Sequence, residues 1–330
     1  MYYDYETRNL NFVEMSKYLK GIGIVHHDFM LELHDESLVG VDPFDKHLSS
    51  YMQEKVIKEC KDNLWYFLRE IVRVPYIGRA DHSLELNRAT LAMAFLYLKK
   101  VSSWTTAPRM TGKDIMAAAL ATWDEVCGKH LVGFTSPKIN HSRVNLSKSN
   151  QMYSRLPEYM KKAAGEKTAD AFSAHTSQKG SETPFKDKCE KYSTLVVSDA
   201  EFLRFMATYG EVLSNINDQI VLYSSTISDD AKENGVLDIL ANAVPWSEKF
   251  YDDFSIQRIT AINKAPKKVV HISFNYKDLG MESKERELRA IFSGSETVDD
   301  IFRREFEVQR RPEDEAYLNA KKKKKSSKKK

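Results

Sequence analysis

Ala107-Pro108-Arg109-Met110-Thr111-Gly112-Lys113-Asp114 is the stretch on which the reading of this chain turns. A Gly-Lys pair that ends a short loop after a strand and opens a helix is the centre of the phosphate-loop pattern G-x-x-x-x-G-K-[ST]. Residues 101–106 suit a short strand, and Ile115, Met116, Ala119, Leu120 and Trp123 recur on one face of a helix starting at Gly112. In such a turn the backbone N–H groups and the helix N-terminus hold phosphate oxygens, and Lys113 reaches the β- and γ-phosphates. Two positions depart from the pattern: Pro108 or Ala107 stands where the first glycine belongs, and Asp114 replaces the hydroxyl residue that binds magnesium. A carboxylate is a competent magnesium ligand, but it also brings negative charge close to a triphosphate.

Outward from this loop the pattern alternates. Residues 131–135, 194–198, 219–225 and 269–274 are short apolar runs with helical segments between them, which predicts an α/β fold with a mainly parallel sheet flanked by helices. Ligands are then expected at the carboxyl ends of the strands. Residues 1–85 read as a helical N-terminal segment, with Phe12, Met15, Tyr18 and Leu19 on one face, and Leu64, Phe67, Leu68 and Ile71 on another. A turn at Gly40-Val41-Asp42-Pro43-Phe44-Asp45 separates the two. Residues 163–191 carry Gly165, Gly180, Pro184 and many Ser, Thr and Lys, and read as a surface loop or insertion. The expected division is 1–85 helical segment, 86–310 phosphate-loop domain and 311–330 disordered, lysine-rich tail.

Composition narrows the function classes. With 330 residues, 42% hydrophobic and 11% aromatic, the chain has material for a substantial core. The formal net charge of +3 misleads, because eight of the 50 basic residues lie in the last ten; the remainder sets 42 basic against 47 acidic. A generally basic DNA-wrapping surface is not indicated, so any DNA contact is a local patch. The lysine run itself would add only salt-sensitive, non-specific affinity for DNA. Cys60, Cys127 and Cys189 form no C-x-x-C pair, which argues for reduced thiols and against a zinc site. No apolar run reaches the roughly 18 residues that span a bilayer, and Met1-Tyr2-Tyr3-Asp4-Tyr5-Glu6 is not a signal peptide, so no membrane partner is expected. His26-His27-Asp28 has no companion set of metal-type residues and reads as a turn.

Several further segments, in order, resemble the large subunit of tailed-phage terminases, the ATPase that drives DNA into the viral head. Arg109-Met110-Thr111-Gly112-Lys113 matches that family's deviant loop of Arg, two variable residues and Gly-Lys. Upstream, Trp65-Tyr66-Phe67-Leu68-Arg69-Glu70-Ile71-Val72-Arg73-Val74-Pro75 and Leu86-Asn87-Arg88 resemble its lead-in. Downstream, Val132-Gly133-Phe134-Thr135-Ser136-Pro137-Lys138 and the polar helix ending Arg155-Leu156-Pro157-Glu158-Tyr159 resemble its second strand and helix. Ser224-Ser225-Thr226 resembles the coupling motif, and His271-Ile272-Ser273-Phe274-Asn275-Tyr276 with Leu279-Gly280 resembles the closing part of the domain. No one of these motifs is specific, but six in the right order, from about Asn63 to Phe306, are.

The resemblance implies a P-loop NTPase of the additional-strand (ASCE) type, with ATP and magnesium as cofactors. It implies that residues 109–114 cradle the nucleotide and that Arg109 acts in cis on the γ-phosphate. Asn87 or Arg88 would lie near the adenine, and Ser224, Ser225 and Thr226 would couple phosphate loss to movement. Leu195-Val196-Val197-Ser198-Asp199-Ala200-Glu201-Phe202 resembles the buried strand ending in Asp-Glu, in either of two registers. In one, Asp199 is the metal-side acid and Ala200 replaces the catalytic Glu, with Glu201 one position away; in the other, Ser198 and Asp199 replace the pair. In an extended chain Asp199 and Glu201 would share a face. Asp114 and Asp199 are thus the candidate metal ligands, and Arg109, Lys113, Asp199 and Glu201 the candidate catalytic groups.

The implied activity is ATP-driven translocation of double-stranded DNA into a procapsid, in the host cytoplasm. The implied partners are the portal, the small terminase subunit, other copies in a ring and a separate nuclease chain. After Phe302-Arg303-Arg304-Glu305-Phe306 about two dozen residues remain, too few for the family's nuclease domain, so no DNA cleavage is expected of this chain. The departures at Asp114 and Ala200 keep open a second reading, a degenerate terminase-fold protein that binds a nucleotide or a partner without turnover. A helicase-like translocase fits the strand pattern but finds no helicase motifs after Thr226.

Overall fold

A computed structural model describes residues 1–74, 82–128, 131–137, 139–164, 169–173, 192–202, 219–225, 235–253, 269–290, 298–308 and 312–327. Two small antiparallel pairs belong to the N-terminal part, β1 (Tyr2–Tyr3) with β2 (Glu32–Leu33), and β3 (Arg73–Val74) with β4 (His82–Ser83). The main sheet is built from β5 (Ser103–Thr106), β6 (Val132–Ser136), β7 (Asp170–Ser173), β8 (Thr194–Ser198), β9 (Gln219–Ser224), β10 (Val244–Pro245) and β11 (Val270–Ser273). Their order is β10-β11-β5-β9-β8-β6-β7, and every adjacent pair is parallel.

The expected α/β class is therefore what the chain adopts, and the strand order carries a specific feature. β9 is inserted between the loop-bearing strand β5 and the acid-bearing strand β8, which is the additional-strand arrangement. The chain ends that follow β5, β8 and β9 are thereby gathered along one edge of the sheet, as parallel pairing requires.

Both faces of the sheet are covered, which is why its strands read as continuous apolar runs. Side chains alternate between two cores: Val196, Val221 and Tyr223 join the larger one, while Leu195, Val197, Ile220, Leu222 and Trp104 join the other. The larger core is filled by two helices that are apolar on nearly every side, α4 (Arg88–Leu98) and α5 (Lys113–Trp123). β6 also needs a close approach. A Cβ on Gly133 would sit 2.8 Å from Cδ2 of the Tyr192 ring, so only glycine fits there.

The N-terminal part is less uniformly helical than its periodicity suggested. It contains α1 (Leu10–Gly21), α2 (Ser50–Asp62) and α3 (Leu64–Tyr66), the last running into a wide turn at Phe67–Ile71, together with the four short strands. A buried ionic cluster fastens it. The Arg69 side chain has 0% exposure; its Nε donates to Glu70 Oε1 at 2.8 Å, its Nη1 to the Met30 carbonyl at 2.5 Å, and Asp4 lies 3.6 Å from Nη2. Thr7 donates a further hydrogen bond to Glu70.

The lysine-rich end corrects an expectation. Pro312–Ser327 is a helix, not a disordered tail. Leu318 is buried in the second core and Tyr317 packs beside it, against the helix Val236–Asn242. Asp238 on that helix accepts from Tyr317 Oη and Lys321 Nζ, both at 2.6 Å. Tyr317, Leu318 and the Asp238 contacts thus anchor the start of the run against that helix.

Most of the expected loop at 163–191 lies outside the described residues, which there include the end of α7 (Glu158–Ala164) and β7. No helix among the described residues is long and apolar enough to cross a membrane.

Candidate functional site

The loop at residues 107–112 leaves β5 between two neighbours that fix its start. On one side the Ala107 N–H donates to the Ser224 carbonyl at 3.2 Å and Trp104 Nε1 to Ser224 Oγ at 3.3 Å. On the other, the Thr106 hydroxyl lies 3.0 Å from His271 Nε2, and Phe274 N–H donates to the Thr106 carbonyl at 3.1 Å. The loop then curls through two left-handed residues, Met110 at φ 64° and Gly112 at φ 75°. A Cβ at Gly112 would meet only Thr90 Cγ2, at 4.0 Å, so glycine is required for its torsion and not for space. Met110 adopts its torsion in a residue that is 72% exposed.

Lys113 closes this turn from inside. Its Nζ donates to the Ala107 and Pro108 carbonyls at 2.6 Å each, and lies 3.3 Å from Thr111 Oγ1 and 3.4 Å from Ser225 Oγ. The side chain is buried, and burial pushes its pKa down to about 8 despite nearby Asp114, Glu201 and Asp199. In its charged form, a buried lysine held by neutral carbonyl and hydroxyl oxygens is poised to exchange them for an anion.

Arg109 and Asp114, which flank the turn, are both already paired. Arg109 is about half exposed and grips Glu305, 8% exposed, with Nη2 3.1 Å from Oε1 and Nε on Oε2; Glu305 ends the helix Val298–Glu305. Asp114, in the first turn of α5, is ion-paired to Lys148 on α6 (Ile139–Ser154).

The backbone at the second acidic position is not the extended chain assumed in the sequence reading. Asp199 has φ 51°, a left-handed turn at the end of β8, and Ala200–Phe202 forms a 3-10 turn, so the chain there is not extended. Asp199 and Glu201 consequently do not share a face. Asp199 is 40% exposed and its Oδ2 lies 2.5 Å from His141 Nδ1 on α6. Glu201 is 1% exposed; burial above all, with repulsion from Asp199 and Glu305, holds its carboxyl well above the usual range, while Lys113 pulls the other way.

Asn87 is structural in a way that touches the loop. Its side chain caps α4 in a reciprocal box with Thr90, and its Nδ2 donates to the Thr111 carbonyl at 2.8 Å. Arg88 points elsewhere: Nε pairs with Glu248 at 2.7 Å, Nη1 donates to the Asp278 carbonyl at 2.9 Å, and the guanidinium lies over the Phe274 ring. Ser224 is buried and Ser225 lies beside Lys113, whereas Thr226 is outside the described residues. The carboxyl edge of the sheet thus brings together Lys113, Arg109, Asp114, Asp199, Glu201 and Ser225, with Asn87 bracing from below and Arg88 apart.

Sequence reading found the polar helix α6 but not the side chains by which it reaches the site. His141, Asn145 and Lys148 are spaced i, i+4, i+7 on one face. His141 takes Asp199, Lys148 takes Asp114, and Asn145 lies beside the buried Tyr223 hydroxyl between them. The available signal was that polar spacing, in a helix whose buried residues include Ser142, Asn145 and Ser149.

The loop suits a phosphate chain: a left-handed glycine, a helix N-terminus and a buried ammonium held by carbonyls converge on it. Magnesium suits the site less well. Asp114 is ion-paired to Lys148 and Asp199 contacts His141 Nδ1, so each candidate ligand already has a partner on α6 that a metal would have to displace.

No protein-family model matches the sequence, and no curated protein does. Solved structures similar to it include the HK97 bacteriophage large terminase, at 12% identity and TM-score 0.49 over 78% of this chain and 55% of that one. The ATPase domain of the Thermus phage P74-26 large terminase aligns at 11% identity and TM-score 0.46, over 68% of this chain and 94% of that domain. The large terminase of a thermophilic bacteriophage, in complex with ATP-gamma-S, aligns at 10% identity and TM-score 0.38, over 68% and 52%. This chain therefore spans about half the length of two of these three proteins.

Proposed function

We propose that this chain is a phosphate-loop ATPase of the terminase type that binds ATP at residues 107–113 and uses it to move double-stranded DNA. The single observation that carries the reading is the placement of Lys113: buried in a left-handed turn after β5, within reach of Ser225 at the end of the inserted strand β9. On binding, Lys113 exchanges the Ala107 and Pro108 carbonyls for phosphate oxygens. Arg109 leaves Glu305 to meet the terminal phosphate, where charge develops during transfer.

Glu201 is the buried carboxyl on the Lys113 side, and an anionic Glu201 orients the attacking water and takes its proton. Burial raises its pKa in the free site, and a backbone hydrogen bond and, to a lesser degree, the Lys113 charge favour the negative form. Ser225, and Ser224 through the Ala107 hydrogen bond, carry loss of the phosphate into β9 and so into movement. In the same reading, a portal, a small terminase subunit and further copies in a ring are the partners.

The test is ATP turnover with and without double-stranded DNA, for the wild type, Lys113→Ala and Glu201→Gln. DNA-stimulated turnover lost in both variants supports the reading. Turnover absent from the wild type, or indifferent to Lys113→Ala, contradicts it and favours the alternative of a nucleotide- or partner-binding module.

A further inference from the structure

The helix α6 holds both acids that a divalent cation would need. Lys148 is ion-paired to Asp114 with its side chain 23% exposed, and two turns away His141 contacts Asp199. A metal ion at Asp114 would have to displace the Lys148 ammonium, and one at Asp199 the His141 ring. Asp114 also stands in the first turn of the helix whose N-terminus faces the phosphate position. Left alone, its carboxylate would repel the phosphate chain and oppose Lys113 and Arg109.

We propose that Lys148 is a further binding residue of the nucleotide site, cancelling the charge of Asp114 so that the triphosphate is held by the protein's own cations without a divalent metal. The inference rests on the ATP-binding reading above and deepens it. The site's departure from the usual hydroxyl is then a substitution of one charge scheme for another: a Lys–Asp pair in place of hydroxyl plus metal. Removing Lys148 should reverse the scheme. The bared Asp114 repels nucleotide when no metal is present, and becomes free to ligate a metal when one is supplied.

The experiment is equilibrium binding of a fluorescent ATP analogue, in magnesium and in EDTA, to the wild type, Lys148→Met, Lys148→Arg and Asp114→Asn. The wild type should show dissociation constants within about threefold of each other in the two buffers. Lys148→Met should weaken binding in EDTA by roughly tenfold, the scale of one uncompensated charge, and recover in magnesium. Lys148→Arg should restore the wild-type ratio, and Asp114→Asn should bind in EDTA at least as tightly as the wild type. A purely structural role for Lys148 would weaken both buffers alike and would overturn the proposal. So would a wild type that binds only with magnesium. A wild type that binds in neither buffer refutes the ATP-binding reading itself. If Lys148→Met does not fold, the Asp114→Asn ratio decides alone.

Discussion

On the proposed reading Arg109 meets the nucleotide only after it leaves Glu305, so Glu305→Gln should strengthen nucleotide binding. The two side chains differ in environment, Arg109 being 54% exposed and Glu305 8%. Such a pair falls between surface ion pairs, worth about 0–1 kcal/mol, and buried ones, whose disruption costs about 3–5 kcal/mol; about 1–2 kcal/mol is the range for this geometry. At that strength Arg109 is released in roughly 3–15% of molecules, and apparent affinity is reduced by the same fraction, about 6–30-fold. Gln keeps the shape and a hydrogen bond while removing the charge, so most of that factor should be recovered. The assay is titration with a non-hydrolysable ATP analogue at two ionic strengths, beside Arg109→Ala and the double variant. The gain must vanish when Arg109 is absent. Unchanged affinity in Glu305→Gln, or an equal gain in the Arg109→Ala background, would refute the argument that the pair competes with ligand.

Arg69→Met should cost about 3–5 kcal/mol in urea unfolding, because it strands the buried carboxylates of Asp4 and Glu70; a loss below about 1 kcal/mol would contradict the cluster's role. Leu318→Ala should lower stability by about 2–3 kcal/mol if Pro312–Ser327 is a docked helix, and a silent substitution would mean it is not. For Lys113 the folded pKa, about 8, lies below the unfolded value near 10.4, so its charged form is the disfavoured one. Its contribution to stability therefore grows as pH rises from about 8 to about 10.4, where the unfolded chain binds more protons. Nucleotide affinity should move oppositely, full below pH 8 and declining above it by up to about tenfold per unit. A Lys113→Met variant whose profile bends at the same pH would assign that titration to another group.

The sheet was legible because its strands are buried on both faces and need no alternation to be seen: Leu195-Val196-Val197 and Ile220-Val221-Leu222 read as strands by apolarity alone. The loop was legible because Gly112 and Lys113 are tied to it by torsion and charge. The acid site was not, because the argument from extended-chain alternation fails where Asp199 turns left-handed and sends Glu201 inward. The pairings of Arg109 with Glu305 and of Asp114 with Lys148 span 196 and 34 residues, and no local pattern encodes contacts of that range. The lysine run misled because its composition is that of a solvated tail, whereas its placement is decided by Tyr317 and Leu318 just before it.

The central claim is that residues 107–113 hold the phosphates of a nucleotide through Lys113. It is tested most directly by calorimetric titration of ATP into the wild type and Lys113→Ala, with folding of both checked by circular dichroism. Loss of a charge-assisted hydrogen bond, worth about 1.5–3 kcal/mol, predicts one ATP per wild-type chain and affinity roughly 10–150-fold weaker in the variant. Equal binding by the two proteins, or no binding by either, would contradict it.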